Sequence, residues 1–245
     1  MADTSGITPP GDGTRASVLR EVADAEADLA VVLNVATKPG QETTVNNTAK
    51  TFSVGGTLYF GSVHPACENP IFEVHRIAAL GLKGIKIHPD YQHTELWDEA
   101  YFPVFEAAEK LGLIVVTHAG WDPLSPDHVH ATPDMAARVL SAFPRLKLVL
   151  AHFGGMYRYD EVEEKLAGKF ENLYFDTAFS VGMISPEQAR RIVQKHGADR
   201  VLFGSDFPWH TMRAEADFIR SLDLSAEEKS LILWENAARL LGLTV

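Results

Sequence analysis

Seven short apolar runs punctuate the sequence, and each is followed by a stretch with helical spacing. This alternation constrains the fold more than any other feature. Strand-then-helix units joined by short loops bury both faces of their strands only in a parallel sheet. The runs are residues 29–35, 57–63, 84–89, 113–117, 146–151, 172–176 and 201–203. Between them, Val18, Leu19, Val22 and Ala25 recur at three- and four-residue steps within 14–27, and Gly112 closes a helix over 97–111. Thr132-Pro133 opens a helix to 143, Ser185-Pro186 opens one to 196, and Ser225-Ala-Glu-Glu caps a closing helix over 225–241.

A chain of 245 residues suits a (β/α)8 barrel, which takes about 250. An open doubly wound sheet is the alternative, but it usually carries a Gly-rich loop after its first strand, and no G-x-G-x-x-G occurs here. Seven strands are visible instead of eight, and the chain opens on what reads as the helix before the first of them. The expected fold is therefore a TIM-type barrel lacking its first strand, one domain over residues 1–245 with a loose lead-in over 1–13. The two strands flanking the gap, 29–35 and 201–203, would each lack a neighbour, an edge that a partner chain in a homo-oligomer could cover.

Three of the runs end in chemistry. Residues 113–117 lead into His118-Ala-Gly, 146–151 into His152-Phe-Gly-Gly, and 201–203 into Gly-Ser-Asp206-Phe-Pro-Trp. Ends of parallel strands share one face of the sheet, where α/β folds place their sites. Two imidazoles and a carboxylate brought together there are ordinary ligands of a divalent metal. Lys86 and His88 lie on one face of their strand by period two and point at the same region. Trp121, Trp209 and His210 follow ligand-bearing strands closely enough to wall a substrate site.

Composition excludes several classes. A net charge of −11 weighs against a general binder of phosphate backbones. No apolar run nears the roughly 18 residues of a membrane span. The N-terminus has neither a basic n-region nor an apolar h-region, and Cys67, the sole cysteine, forms no internal disulfide. The expected partner is a small molecule, with no nucleic acid and no membrane, and the expected location is the cytoplasm.

In this order, Gly84-Ile-Lys-Ile-His-Pro, Thr117-His-Ala-Gly, Ala151-His-Phe-Gly-Gly, Tyr174-Phe-Asp-Thr, Phe203-Gly-Ser-Asp-Phe-Pro-Trp and Asn236-Ala-Ala-Arg-Leu-Leu-Gly resemble the amidohydrolase superfamily. The nearest branch is the amidohydrolase-related one that includes aminocarboxymuconate-semialdehyde decarboxylase. The resemblance implies one divalent metal ion, Zn²⁺ foremost with Mn²⁺ or Fe²⁺ as alternatives. It makes His118 a metal ligand, Asp206 a ligand and proton acceptor for metal-bound water, and His152 a ligand or acid/base. It implies a metal-dependent hydrolase of a small carboxylated metabolite. A decarboxylase or lyase of the same family, or a metal-free barrel that only binds, is the alternative. The family's first strand, ending in His-x-His, is not in this sequence. His128-Val-His130 has that spacing but lies in a loop.

Overall fold

The computed structural model describes residues 8–243. Seven parallel strands follow one another in space in the order they occur in the chain: β1 (Ala30–Leu33), β2 (Thr57–Phe60), β3 (Gly84–Ile87), β4 (Ile114–Thr117), β5 (Lys147–Leu150), β6 (Leu173–Asp176) and β7 (Val201–Leu202). β1 pairs with β2, and β3 through β7 form one sheet. The two parts are joined where Gly61 donates to Gly84 O and accepts from Lys86 N, at 2.9 and 2.8 Å. Among the described residues no pairing joins β1 to β7.

Alternation within the strands separates two apolar layers. Ile85, Ile87, Val115, Leu148, Leu150 and Phe175 face outward onto helices, packing with Phe105, Val139, Val162 and Ile192. Ile114, Val116, Val149 and Leu202 face inward and meet Phe60 and Leu241. Every one of these side chains is buried, and together they make the core that fixes the strand ends. The helices are α1 (Arg15–Asp24), α2 (Glu42–Phe52), α3 (Pro70–Ala79), α4 (Phe102–Leu111), α5 (Pro133–Ala142), α6 (Tyr159–Lys165), α7 (Pro186–His196), α8 (Met212–Ser221), α9 (Ala226–Ser230) and α10 (Asn236–Leu241). α3, α5 and α7 begin alike: Asn69, Thr132 or Ser185 accepts a backbone N–H of the first turn, and proline occupies that turn. Proline costs nothing there, because its missing N–H would be unpaired anyway.

Two helices depart from their sequence pattern. The stretch expected to be helical from 97 becomes α-helical only at Phe102, after a 3₁₀ turn over Glu99–Tyr101. Pro103 explains this, since a proline inside a continuous helix would remove a hydrogen bond and clash with the preceding turn. The closing helix is interrupted between α9 and α10 by a π turn over Leu231–Glu235. There Ile232 O accepts from Phe203 N at 2.9 Å, so a carbonyl of the last helix serves the end of β7. Asn236 reinforces the junction by donating to Ala198 O and Val201 O, at 2.7 and 2.8 Å.

One core histidine makes stability depend on pH. His196 is buried with its ring 4.1 Å from that of Phe175, and burial, helped by Arg200, lowers its pKa to about 4. The unfolded chain binds a proton near pH 6.5 and the folded chain does not until near pH 4, so stability falls as pH drops between those values. Linkage over that window sets the loss between pH 7 and pH 5 at about 2 kcal/mol. Urea unfolding at the two pH values checks this, and His196→Leu should shrink the difference between them by about 2 kcal/mol.

Candidate active site

A cavity of 740 Å³ opens inside the ring of strands, on the side of their carboxyl ends. Lys86 and His88 enter it from the end of β3, His118 follows β4, His152 follows β5, Asp176 ends β6, and Asp206 follows β7. Its inner part is apolar, lined by Phe60, Ile114, Val116, Val149 and Leu202. Trp121 and Trp209 also line it, with Trp121 packed on Tyr157 at 5.6 Å between ring centres. His210 stands apart from the lining. It donates from Nδ1 to Glu215 Oε1 at 2.5 Å and packs on Phe179.

Hydrogen bonds assign the imidazole tautomers. His152 Nδ1 lies 2.9 Å from Ala178 O, which can only accept, so Nδ1 carries the proton. With that single proton on the ring its Nε2 accepts, and its neighbour at 3.1 Å, His118 Nδ1, then donates. That leaves the lone pair of His118 on Nε2, which is buried and has no hydrogen-bond partner. The backbone of His152 is itself held, since Asp176 Oδ1 accepts from His152 N and Ala178 N, both at 3.0 Å. His152 and Asp206 have φ of 60° and 63°, left-handed values uncommon outside glycine and found often at functional sites.

His88 is the middle ring of a stack, 3.6 Å from Tyr91 and 4.4 Å from His118, both nearly parallel to it. Its Nε2 faces Asp122 Oδ2 at 3.7 Å, and its Nδ1 faces Asp90 Oδ2 at 3.9 Å. Asp90 Oδ2 is also 3.9 Å from His118 Nε2. Single ligand atoms of His88, His118 and Asp122 lie within 4.8 Å of one another, the one such group of metal-binding side chains among the described residues. The sequence assembles its metal set from His118, His152 and Asp206. The structure brings His118 against His152, and single ligand atoms of His88 and Asp122 also lie within 4.8 Å of one of His118.

Burial governs the charges. It lowers the pKa of His88 and His118 well below the usual imidazole value, helped by Lys86 and by the neighbouring imidazoles, so both rings are neutral. It lowers that of Lys86 too, opposed by Asp176 and Asp206. It raises the carboxyl of Asp206, opposed by His152 and Lys86, and pushes Asp122 up to about 6.

Sequence reasoning passes over the residues that hold this arrangement. Gln92 accepts from His88 N and Tyr101 Oη and donates to Ala36 O and Val63 O, tying together the segments that follow β1, β2 and β3. Asp90 Oδ1 accepts from Ser125 Oγ and from His130 Nδ1, the latter at 3.0 Å. His128 instead pairs with Glu95 at the surface. The one available signal is His88-Pro-Asp90, a strand-end His followed two residues on by a carboxylate.

The amidohydrolase family model matches residues 12–243. A gamma-resorcylate decarboxylase from Polaromonas is 28% identical over 133 residues, covering 47% of this chain and 40% of its own length. A 2-amino-3-carboxymuconate-6-semialdehyde decarboxylase from Dictyostelium discoideum is 27% identical over 223 residues, covering 75% of this chain and 60% of its own. The chain thus spans roughly half the length of these relatives. The manganese-containing 5-carboxyvanillate decarboxylase of Novosphingobium aromaticivorans superposes with a TM-score of 0.70 at 19% identity, over 94% of this chain and 80% of that one. Structural likeness at that identity carries the TIM-type barrel fold.

Proposed function

The chain belongs to the amidohydrolase family, and on that premise we propose that it is a decarboxylase of that family, releasing CO₂ from a small unsaturated carboxylic acid such as a hydroxylated benzoate. The observation that carries the reading is the convergence of Lys86, a cation, and Asp206, a carboxyl, on one cavity beside the His118–His152 pair. What supports decarboxylation over the hydrolysis implied by the sequence is that the curated relatives described above are decarboxylases.

Lys86 draws the anionic substrate in. The apolar walls hold its ring flat against Phe60, Val116 and Leu202 and keep bulk water from the reacting carbon. The Asp206 carboxyl passes its proton to the carbon that bears the carboxylate. The bond from that carbon to the carboxylate then breaks, its electron pair returns to the ring, and CO₂ departs. The proton that Asp206 has given up is restored from water entering the cavity mouth. His152, fixed by Ala178 and Asp176, holds His118 in place.

A divalent cation is implied by the family, and the residues fit one. Three buried polar atoms, His118 Nε2, His88 Nδ1 and Asp90 Oδ2, have no hydrogen-bond partner, and the imidazoles beside them are neutral, as ligands must be. His118 would hold such an ion, whose positive charge would stabilise the anionic oxygens of the bound acid.

The test is incubation of the full chain, supplied with Mn²⁺ or Zn²⁺, with gamma-resorcylate, 5-carboxyvanillate and related hydroxybenzoates, measuring CO₂ release beside hydrolysis of amides and lactones. Hydrolysis with no decarboxylation of any acid would overturn the reading. Lys86→Met should raise KM tenfold or more, about the 1.5–3 kcal/mol of a charged hydrogen bond. It should leave kcat within about threefold, because the lysine acts on the bound and reacting acid alike.

A further inference from the structure

We propose that the acid this chain acts on carries an alkyl chain opposite its carboxylate, and that the apolar interior of the ring of strands is the binding site for that chain. This names the substrate class for the decarboxylase reading and rests on it.

The strands divide the cavity into a polar and an apolar half. Its charged and imidazole side chains stand in the last residues of a strand or beyond them, from Lys86 on β3 to Asp206 after β7. Below them the lining continues down to Ile114, the first residue of β4, and Ala30, the first of β1. At a rise of about 3.3 Å per residue, Ile114 lies about 13 Å along the chain from His118. Val18 of α1 and Ala237 and Leu241 of α10 complete this deeper half, in which no described lining residue has a hydrogen-bonding side chain.

A (β/α)8 barrel ordinarily fills its interior with layers of side chains. Here the inward side chains Ile114, Val116, Val149 and Leu202 border a cavity. Its 740 Å³ falls within the range of about 300–1,000 Å³ for pockets that hold drug-sized molecules. A single ring held against Phe60, the last residue of β2, reaches only the upper part of it. Val31 marks the way down. It alternates with Leu33, which packs on the inner cluster containing Phe60, so both face the inside of the ring. Yet Val31 is 38% exposed and lines the cavity. Covering such an inward valine with a hydrocarbon chain removes its apolar surface from water.

The walls select the occupant. A hydroxyl, amide or second carboxylate carried this deep would lose its water and find no partner, which weakens binding. A hydrocarbon chain gains by the same transfer, while Lys86 holds the acid at the other pole. The ligand is therefore an amphiphile, charged at the catalytic end and apolar at the other.

The test is calorimetric titration of the full chain, supplied with Mn²⁺, with hydroxybenzoates bearing methyl, propyl or pentyl opposite the carboxylate. Each added methylene should lower Kd about fourfold, the equivalent of about 0.8 kcal/mol for one buried CH₂. The pentyl acid should thus bind at least about a hundredfold tighter than the methyl acid, at one molecule per chain. A pentyl chain ending in an amine should lose that gain. Val18→Phe sets a ring into the deep half and should flatten the series, bringing the pentyl and methyl acids within about tenfold of each other. Ala237→Phe should do the same from α10, and carries the test if Val18→Phe fails to fold, as judged by circular dichroism. CO₂ release from the same acids is measured separately. A rising series without decarboxylation keeps the chain-binding site and sinks the decarboxylase reading. Decarboxylation with equal affinity along the series does the reverse. More than one molecule bound per chain, or a series that stays steep in both variants, also overturns the proposal.

Discussion

Asp206→Asn should lower kcat on any acid the protein decarboxylates by about a thousandfold, at the centre of the 10²–10⁴ range for a positioned acid or base. The amide matches the carboxyl in size and keeps the turn after β7, but it cannot give up a proton to carbon. Lys86 still faces the cavity in this variant, so KM should change far less than kcat. A rate within tenfold of the parent would assign the proton to another group. His152 would be the next to replace, since its Nε2 is the other proton-accepting atom held against the site.

Glu215→Ala should destabilise the fold by about 3 kcal/mol or more. Glu215 is completely buried on α8, where its carboxylate accepts from Ser180 N and Val181 N at 3.1 and 3.2 Å and from His210 Nδ1. Alanine leaves two backbone amides and an imidazole without an acceptor, each costing about 1–3 kcal/mol when it stays buried. For a chain of this size that corresponds to a melting temperature lower by about 6–12 °C. Ser180 follows β6, and His210 follows β7 close to Asp206, so Glu215 ties together two loops at the cavity rim. Activity should fall with stability, and Glu215→Gln, which keeps an acceptor oxygen, should recover about half of the loss. A melting temperature within 2 °C of the parent would show that water replaces the carboxylate.

How much was legible in the sequence follows from the range of each interaction. The strands, and the places of His118, His152 and Asp206 at their ends, could be read because a period-two apolar run closed by glycine is a local pattern. Lys86 and His88 could be placed in the cavity by the same period. The exact end of β7 at Leu202, one residue short of the apolar run, could not, because Phe203 N is taken by the carbonyl of Ile232, far along the chain in the π turn. Nor could Asp90, whose partners Ser125 and His130 are 35 and 40 residues away, or Gln92, which reaches back 56 residues to Ala36. His128-Val-His130 had ligand spacing, yet its two rings, packed edge to face at 4.5 Å, serve different carboxylates, Glu95 and Asp90. No helix among the described residues is long and apolar enough to cross a membrane.

The pairing of β3 with β4, Gly84 opposite Ile114 through Ile87 opposite Thr117, guards the chemistry against misfolding. A slip of one residue would turn Lys86 and His88 out among the helices and bring Ile85 and Ile87 into the cavity. Such a chain would lose its catalytic face and its greasy outer seal together. A stable impostor with an intact exterior and an inverted interior is thereby denied to this strand, and any chain that reaches full compactness has already set its reactive groups inward.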